Sequence, residues 1–508
     1  MTKRIMLMGT GSHVGKSILA TALCRIFYQA GQRVTPFKAQ NMALNSFVTA
    51  DGGEMGRAQV AQAEAAGILP NVLMNPVLLK PTGNSSSQVI IMGKPVGTMS
   101  AREYHAGYSL TAFEAVKKAA AELCQRYDTV VIEGAGSPAE VNLKANDIVN
   151  MRVAKLLNAP VLLIADIDRG GALAALVGTL ELLDPDERAL VKGLVINKFR
   201  GDVSLFDTAV DFLEQKTGKP VLGIVPHIEN LGIDDEDSVS LDDNRDNPDG
   251  AVRIAVVRLP KIANFTDFSA LKAESDVSLV YADSAEELRA ADLIILPGSK
   301  NTVEDLLHLK QTGLADAIKK LAEAGKPIVG ICGGYQMMGQ EICDPYKTES
   351  STERVEGLAL LPITTVFARE KFTAQALGRC NELRFLGNAI TTDDLAGYEI
   401  HAGKTTLPTD TGAPFSIKYA DGTERAEGCA AANGKIFGTY LHGLFDNNRF
   451  RRDFLNALRA TKNLPPLAPN YNAAADKEYR YNRLADIVSR HLDLKRLAAI
   501  MGGEPLSC

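Results

Sequence analysis

No apolar stretch in the chain approaches the roughly 20 residues needed to cross a bilayer. The longest, such as Ala159 to Ala165 and Leu293 to Pro297, suit buried strands instead. The seven cysteines form no C-x-x-C pair and are widely scattered. That spacing argues against both a disulfide framework and a zinc site, and it fits the cytosol. No polybasic run is present, and Lys+Arg number 55 against 61 Asp+Glu, for a net charge of -6. Nucleic acid and anionic membrane are therefore not expected partners. Internal repeats at solenoid periods are also missing. The N-terminal run Met1 to Gly9 leads into a glycine loop rather than a signal cleavage site, and reads as a first strand.

What remains is ordinary globular composition, 46% hydrophobic and 23% charged over 508 residues. Two or three domains are expected at that length. Short runs rich in Val, Ile and Leu alternate with longer helical patterns: Arg4 to Met8, Thr129 to Ile132, Val161 to Ala165, Leu194 to Asn197, Arg253 to Val257, Leu293 to Leu296 and Ile328 to Ile331. Strands buried on both faces read this way, which predicts an α/β chain of two doubly wound, mostly parallel sheets. The acidic, turn-rich run from Asp234 to Asp249 cannot bury an apolar face. The expected division is a first domain over 1–233, a linker over 234–250, a second domain over 251–450 and a helical extension over 451–508.

Gly9-Thr10-Gly11-Ser12-His13-Val14-Gly15-Lys16-Ser17 follows a predicted strand and opens a predicted helix, the setting of a phosphate-binding loop. Gly11 and Gly15 let backbone N–H groups turn toward phosphate, Lys16 offsets charge on the outer phosphates, and the Ser17 hydroxyl can ligate Mg²⁺. Lys38 ends the next strand, over the crevice of an open sheet. Glu133 ends Val130-Val131-Ile132, where an unpaired carboxylate would be costly but Mg²⁺ bridging ATP phosphates would satisfy it. Asp166 and Asp168 end another strand and serve equally well as helix caps. Asn197 offers an amide able to pair with an adenine edge. The long loop resembles that of dethiobiotin synthetase and its relatives, which implies ATP-dependent phosphorylation of carboxyl-type groups.

The second half carries a different chemistry. Ile328-Val329-Gly330-Ile331-Cys332-Gly333-Gly334 is a strand, a tight turn and a helix start with a thiol at the apex. The helix start favours thiolate, and the Gly333 N–H can donate to an oxyanion. Gly298, after another buried strand, supplies a second donor, and His442 in Gly438 to Phe445 is the candidate base. This set resembles class I glutamine amidotransferases, in which cysteine and histidine release ammonia from glutamine. Many of those proteins carry a carboxylate two residues after the histidine, where this chain has Leu444. Glu399 is the substitute considered, and His401 the alternative base.

The runs Pro36 to Ser46, Asp166 to Gly171, Arg258 to Phe268, Tyr398 to Gly403 and Gly438 to Phe445 resemble the glutamine-hydrolysing cobyric acid synthases of cobalamin biosynthesis, over nearly the whole chain. The resemblance implies amidation of the b, d, e and g carboxylates of adenosylcobyrinic acid a,c-diamide to give adenosylcobyric acid, with ATP, Mg²⁺ and glutamine consumed. The implied partner is a corrinoid polycarboxylate, so basic residues are expected at the cleft despite the negative total; a homo-oligomer stays open. Cobyrinic acid a,c-diamide synthase is the nearest alternative. A P-loop partitioning ATPase, or a scaffold that has lost its glutaminase, fits the sequence less well, because both Cys332 and His442 are retained and no basic or amphipathic anchor is present.

Overall fold

The computed structural model describes residues 2–82, 85–229, 231–233, 247, 249–407 and 412–503. Two six-stranded sheets organise it. The first runs in the order Val221–Pro226, Val191–Phe199, Val161–Asp166, Lys3–Gly9, Thr129–Glu133, Val34–Phe37, and every pairing is parallel. Successive residues of the central strand serve opposite layers. Ile5 and Leu7 pack with Leu19 and Leu23 of the Lys16–Gln29 helix, whereas Met6 and Met8 pack with Val116 and Ala120 of the Ser109–Arg126 helix. That two-sided burial is why these strands read as continuous apolar runs.

The second sheet has the order Val277–Ala282, Val252–Val257, Leu293–Leu296, Ile328–Ile331, Ile436–Thr439, Cys429–Ala430, parallel except at its last pair. Beside it lies a third sheet that the apolar runs did not announce. It is built around the Thr364–Phe385 and Asn388–Thr406 strands, which form one long antiparallel hairpin. A smaller four-stranded sheet, including Val77–Pro81, Ser86–Ile91 and Lys94–Ser100, projects from the first half. The acidic run expected as a linker lies mostly outside the described residues.

The C-terminal helices do not stand apart. Asn448–Thr461 buries Phe450, Phe454 and Leu458 in the second core. Ala473–His491 instead returns to the first half, where Tyr481, Leu484 and Val488 pack with the Lys16–Gln29 helix. Arg25, nearly buried, donates to Asn482 at 2.8 Å and to Glu478 at 2.5 Å across that contact. No described helix is long and apolar enough to span a membrane.

Candidate active sites

At the carboxyl end of the first sheet the glycine loop wraps its own lysine. Gly15 has φ +93°, a conformation open to glycine, and a Cβ there would stand 2.1 Å from Asn197 Nδ2. Lys16 Nζ donates to the carbonyls of Gly11 at 2.8 Å and Gly136 at 3.2 Å. Ser17 Oγ donates to Glu133 at 2.8 Å, Lys38 Nζ pairs with the same oxygen at 2.9 Å, and Gln62 Nε2 donates to the other at 2.7 Å. Glu133 and Lys38 are both almost fully buried. Burial works against a charged Glu133, but Lys38, Gln62 and Ser17 prevail and hold the carboxyl below its usual range. Gln62 carries no signal in the sequence, because it lies in mid-helix between Ala61 and Ala63 with no motif around it.

Ser17 and Glu133 present hard oxygen donors side by side beside the loop, a set that fits Mg²⁺ with phosphate oxygens and water completing its shell. Among the described residues no cluster of three or more His, Cys, Asp or Glu side chains could hold a metal alone. The adjoining cavity, of about 1130 Å³, is lined by seven lysines or arginines and five carboxylates. Its lining is thus basic on balance although the chain is acidic. Asn197 stands near the carboxyl end of the Val191–Phe199 strand, against the loop. Its Nδ2 donates to the Val14 carbonyl at 2.8 Å, so that side of the amide braces the loop. Asp166 pairs with Lys198 at 2.8 Å and Asp168 with Arg200 at 2.8 Å, and Asp166 also accepts from the Asp168 N–H, as a turn-capping carboxylate does.

The second site assembles where four strand ends meet. Cys332 has φ +50° and ψ −107°, a strained conformation for a side chain with a Cβ, held between the Ile328–Ile331 strand and the Gly333–Met337 helix. Gly334 fits there because a Cβ would fall 1.9 Å from the Leu296 carbonyl. A Cβ on Gly333 would meet the Ser299 N–H at 2.8 Å and one on Gly298 would meet His442 Cε1 at 3.4 Å, so both glycine turns adjoin the thiol and imidazole. His442, only 1% exposed, stands beside Cys332, whose thiol donates to the Ile400 carbonyl at 3.7 Å. Its Nδ1 donates to Asp267 Oδ2 at 2.6 Å, and Asp267 Oδ1 accepts from the Gly443 N–H at 3.0 Å. Burial lowers the imidazole's proton affinity, but Asp267 and Cys332 outweigh it and push the pKa up to about 10.

Glu399 is not the orienting carboxylate. It is held by His401 at 3.0 Å, Tyr419 at 2.7 Å and Arg425. Nor is His401 placed as the base: its Nδ1 faces the Gly403 carbonyl at 2.7 Å and its Nε2 faces Glu399, so both nitrogens are taken. Asp267 belongs to the run Asn264-Phe265-Thr266-Asp267-Phe268, far upstream of the histidine. It was visible only as part of a motif, because nothing local pairs it with His442.

The two sites adjoin across the chain from Lys38 to Ser46. Lys38 and Asn41 line the first cavity, whereas Asn45 Oδ1 accepts from the Phe265 N–H at 3.1 Å and the Ser46 N–H donates to Asn264 at 3.0 Å. Asn264 Nδ2 in turn lies 3.4 Å from His442 Nε2.

Residues 5–240 match the family described as the CobQ/CobB/MinD/ParA nucleotide binding domain, and residues 253–450 match the CobB/CobQ-like glutamine amidotransferase domain. A cobyric acid synthase of Moorella thermoacetica is 54% identical over 99% of this chain and 98% of its own. The chain belongs to the cobyric acid synthase family. Other members are similar over comparable spans: one from Pelotomaculum thermopropionicum is 52% identical over 99% of this chain and 97% of its own, and one from Carboxydothermus hydrogenoformans is 50% identical over 99% and 100%. Family membership thus agrees with a nucleotide-binding half and an amidotransferase half in one chain.

Proposed function

We propose that the protein amidates the b, d, e and g carboxylates of adenosylcobyrinic acid a,c-diamide, using ATP for activation and glutamine as nitrogen donor. The observation that carries this is the adjacency of a phosphate-binding loop and a Cys332–His442–Asp267 set across one buried segment. In the glutaminase half, His442 takes the Cys332 proton and the thiolate attacks the side-chain carbonyl carbon of glutamine. The N–H groups of Gly333 and Gly298 donate to the oxyanion in this scheme. Collapse breaks the C–N bond, His442 returns the proton to the departing ammonia, and water then hydrolyses the thioester to glutamate.

In the ATP half, a substrate carboxylate attacks the γ-phosphorus and ADP leaves, giving an acyl phosphate. Ammonia adds to its carbonyl and phosphate departs as the amide forms. Lys16 and Lys38 set positive charge where the phosphoryl group moves, and the loop N–H groups orient the nucleotide. Mg²⁺ held by Ser17 and Glu133 would neutralise charge on the phosphate oxygens. The adjacency of the sites suits ammonia, which must arrive unprotonated. In Cys332→Ala, glutamine-dependent amidation should vanish while ammonia-dependent amidation persists; loss of both or of neither refutes the two-site scheme.

A further inference from the structure

The cavity at Cys332, of about 510 Å³, is not walled by one half of the chain. Cys332, His442 and Gly298 form one end. The other end includes Lys80 and Gln88, directly paired across two strands of the small sheet that belongs to the ATP-binding half. Facing them is Lys300, two residues beyond Gly298.

Charge and hydrogen bonding at that end are unbalanced. Glu54, fully buried, is shared by Lys80 at 2.8 Å and Lys371 at 2.6 Å, so one carboxylate serves two ammonium groups. Lys300 is felt electrostatically by Lys80, Glu349 and Glu54, but among the described residues its side-chain ammonium makes no hydrogen bond or ion pair. Among the described residues Glu349 is the one carboxylate lining the cavity; it accepts from the Thr302 N–H at 2.9 Å and attracts Lys300 without a hydrogen bond to it. Gln88 Oε1 is buried with no donor. A buried acceptor without a donor and ammonium groups in excess of carboxylates are both costly unless a ligand supplies the missing groups. An α-amino acid carries an ammonium and a carboxylate on one carbon.

We propose that the ATP-binding half completes the glutamine site, with Lys300, backed by Lys80, taking the α-carboxylate and Gln88 Oε1 accepting from the α-ammonium. This rests on the reading that Cys332 releases ammonia from glutamine. Glutamine would then be gripped only where the two halves are docked, so that its hydrolysis is confined to the assembled protein.

The test is steady-state amide hydrolysis by the full chain with three substrates: glutamine, 4-aminobutanamide, which lacks the α-carboxylate, and glutaramate, which lacks the α-ammonium. Lys300→Met should raise KM for glutamine by about 10-fold or more with kcat little changed, as loss of a charge-assisted hydrogen bond would. Its preference for glutamine over 4-aminobutanamide should shrink by a similar factor, and Lys300→Arg should restore part of it. Gln88→Leu should instead erode the preference over glutaramate. Unchanged preference ratios in both variants would overturn the composite site while leaving the glutaminase reading intact. A wild-type chain that hydrolyses no glutamine would overturn the reading beneath it.

Discussion

Asp267 precedes His442 by 175 residues, yet the two share a 2.6 Å hydrogen bond in a nearly dry setting. The pair has a definite pH signature. Because the folded pKa of about 10 exceeds the ordinary 6.5, imidazolium stabilisation is fully present below pH 6.5 and is lost as pH rises through about 10. Replacing Asp267 with Asn removes the facing charge and should bring the titration of His442, followed by the ¹³C shift of its Cε1, down toward neutrality. Glutamine hydrolysis should fall by about 100-fold, as expected when a general base is mispositioned, with ammonia-dependent amidation retained. Glu133→Gln acts on the other reaction. It leaves Lys38 buried without its anion and weakens the Mg²⁺ set, so amidation from glutamine and from ammonia should both disappear in a product assay, while glutamine hydrolysis continues.

Elements built on continuous apolar runs were legible because both of their faces are buried; the seven predicted strands all form, with ends shifted by at most a few residues. The elbow was legible as well, since glycines on both sides of Cys332 leave few other uses for that sequence. The long hairpin was not. Its strands mix in charged residues such as Arg369, Glu370 and Lys371, the last of them paired with Glu54 of the other half, so no simple period shows. Asp267 escaped for a related reason, as its role arises only when the Phe265–Phe268 turn packs beside the strand end carrying His442. Packing at the elbow also sets a sharp tolerance. Gly334→Ala would press a methyl into the Leu296 backbone, 1.9 Å away, and should lower the second half's thermal transition and abolish glutamine hydrolysis together.

Across the whole molecule the decisive contact is the return of the Ala473–His491 helix to the first half. Leu484 is fully buried there beside Leu19 and Leu23. Leu484→Ala should destabilise that half by about 2–5 kcal/mol, read as a lower urea midpoint of the ATP-binding transition. Nucleotide affinity should weaken although the site is untouched. The sequence showed the helical spacing of this segment but not its destination, since an apolar stripe states that a face is buried and not against what.

The same return has a consequence for synthesis. A chain emerging from the ribosome presents the phosphate-binding loop before the amidotransferase half, but the Lys16–Gln29 helix lacks its Tyr481, Leu484 and Val488 cover until that half has been made. The first half to be translated is therefore the last to be finished, and the nascent chain must carry an uncovered apolar face throughout the making of the second.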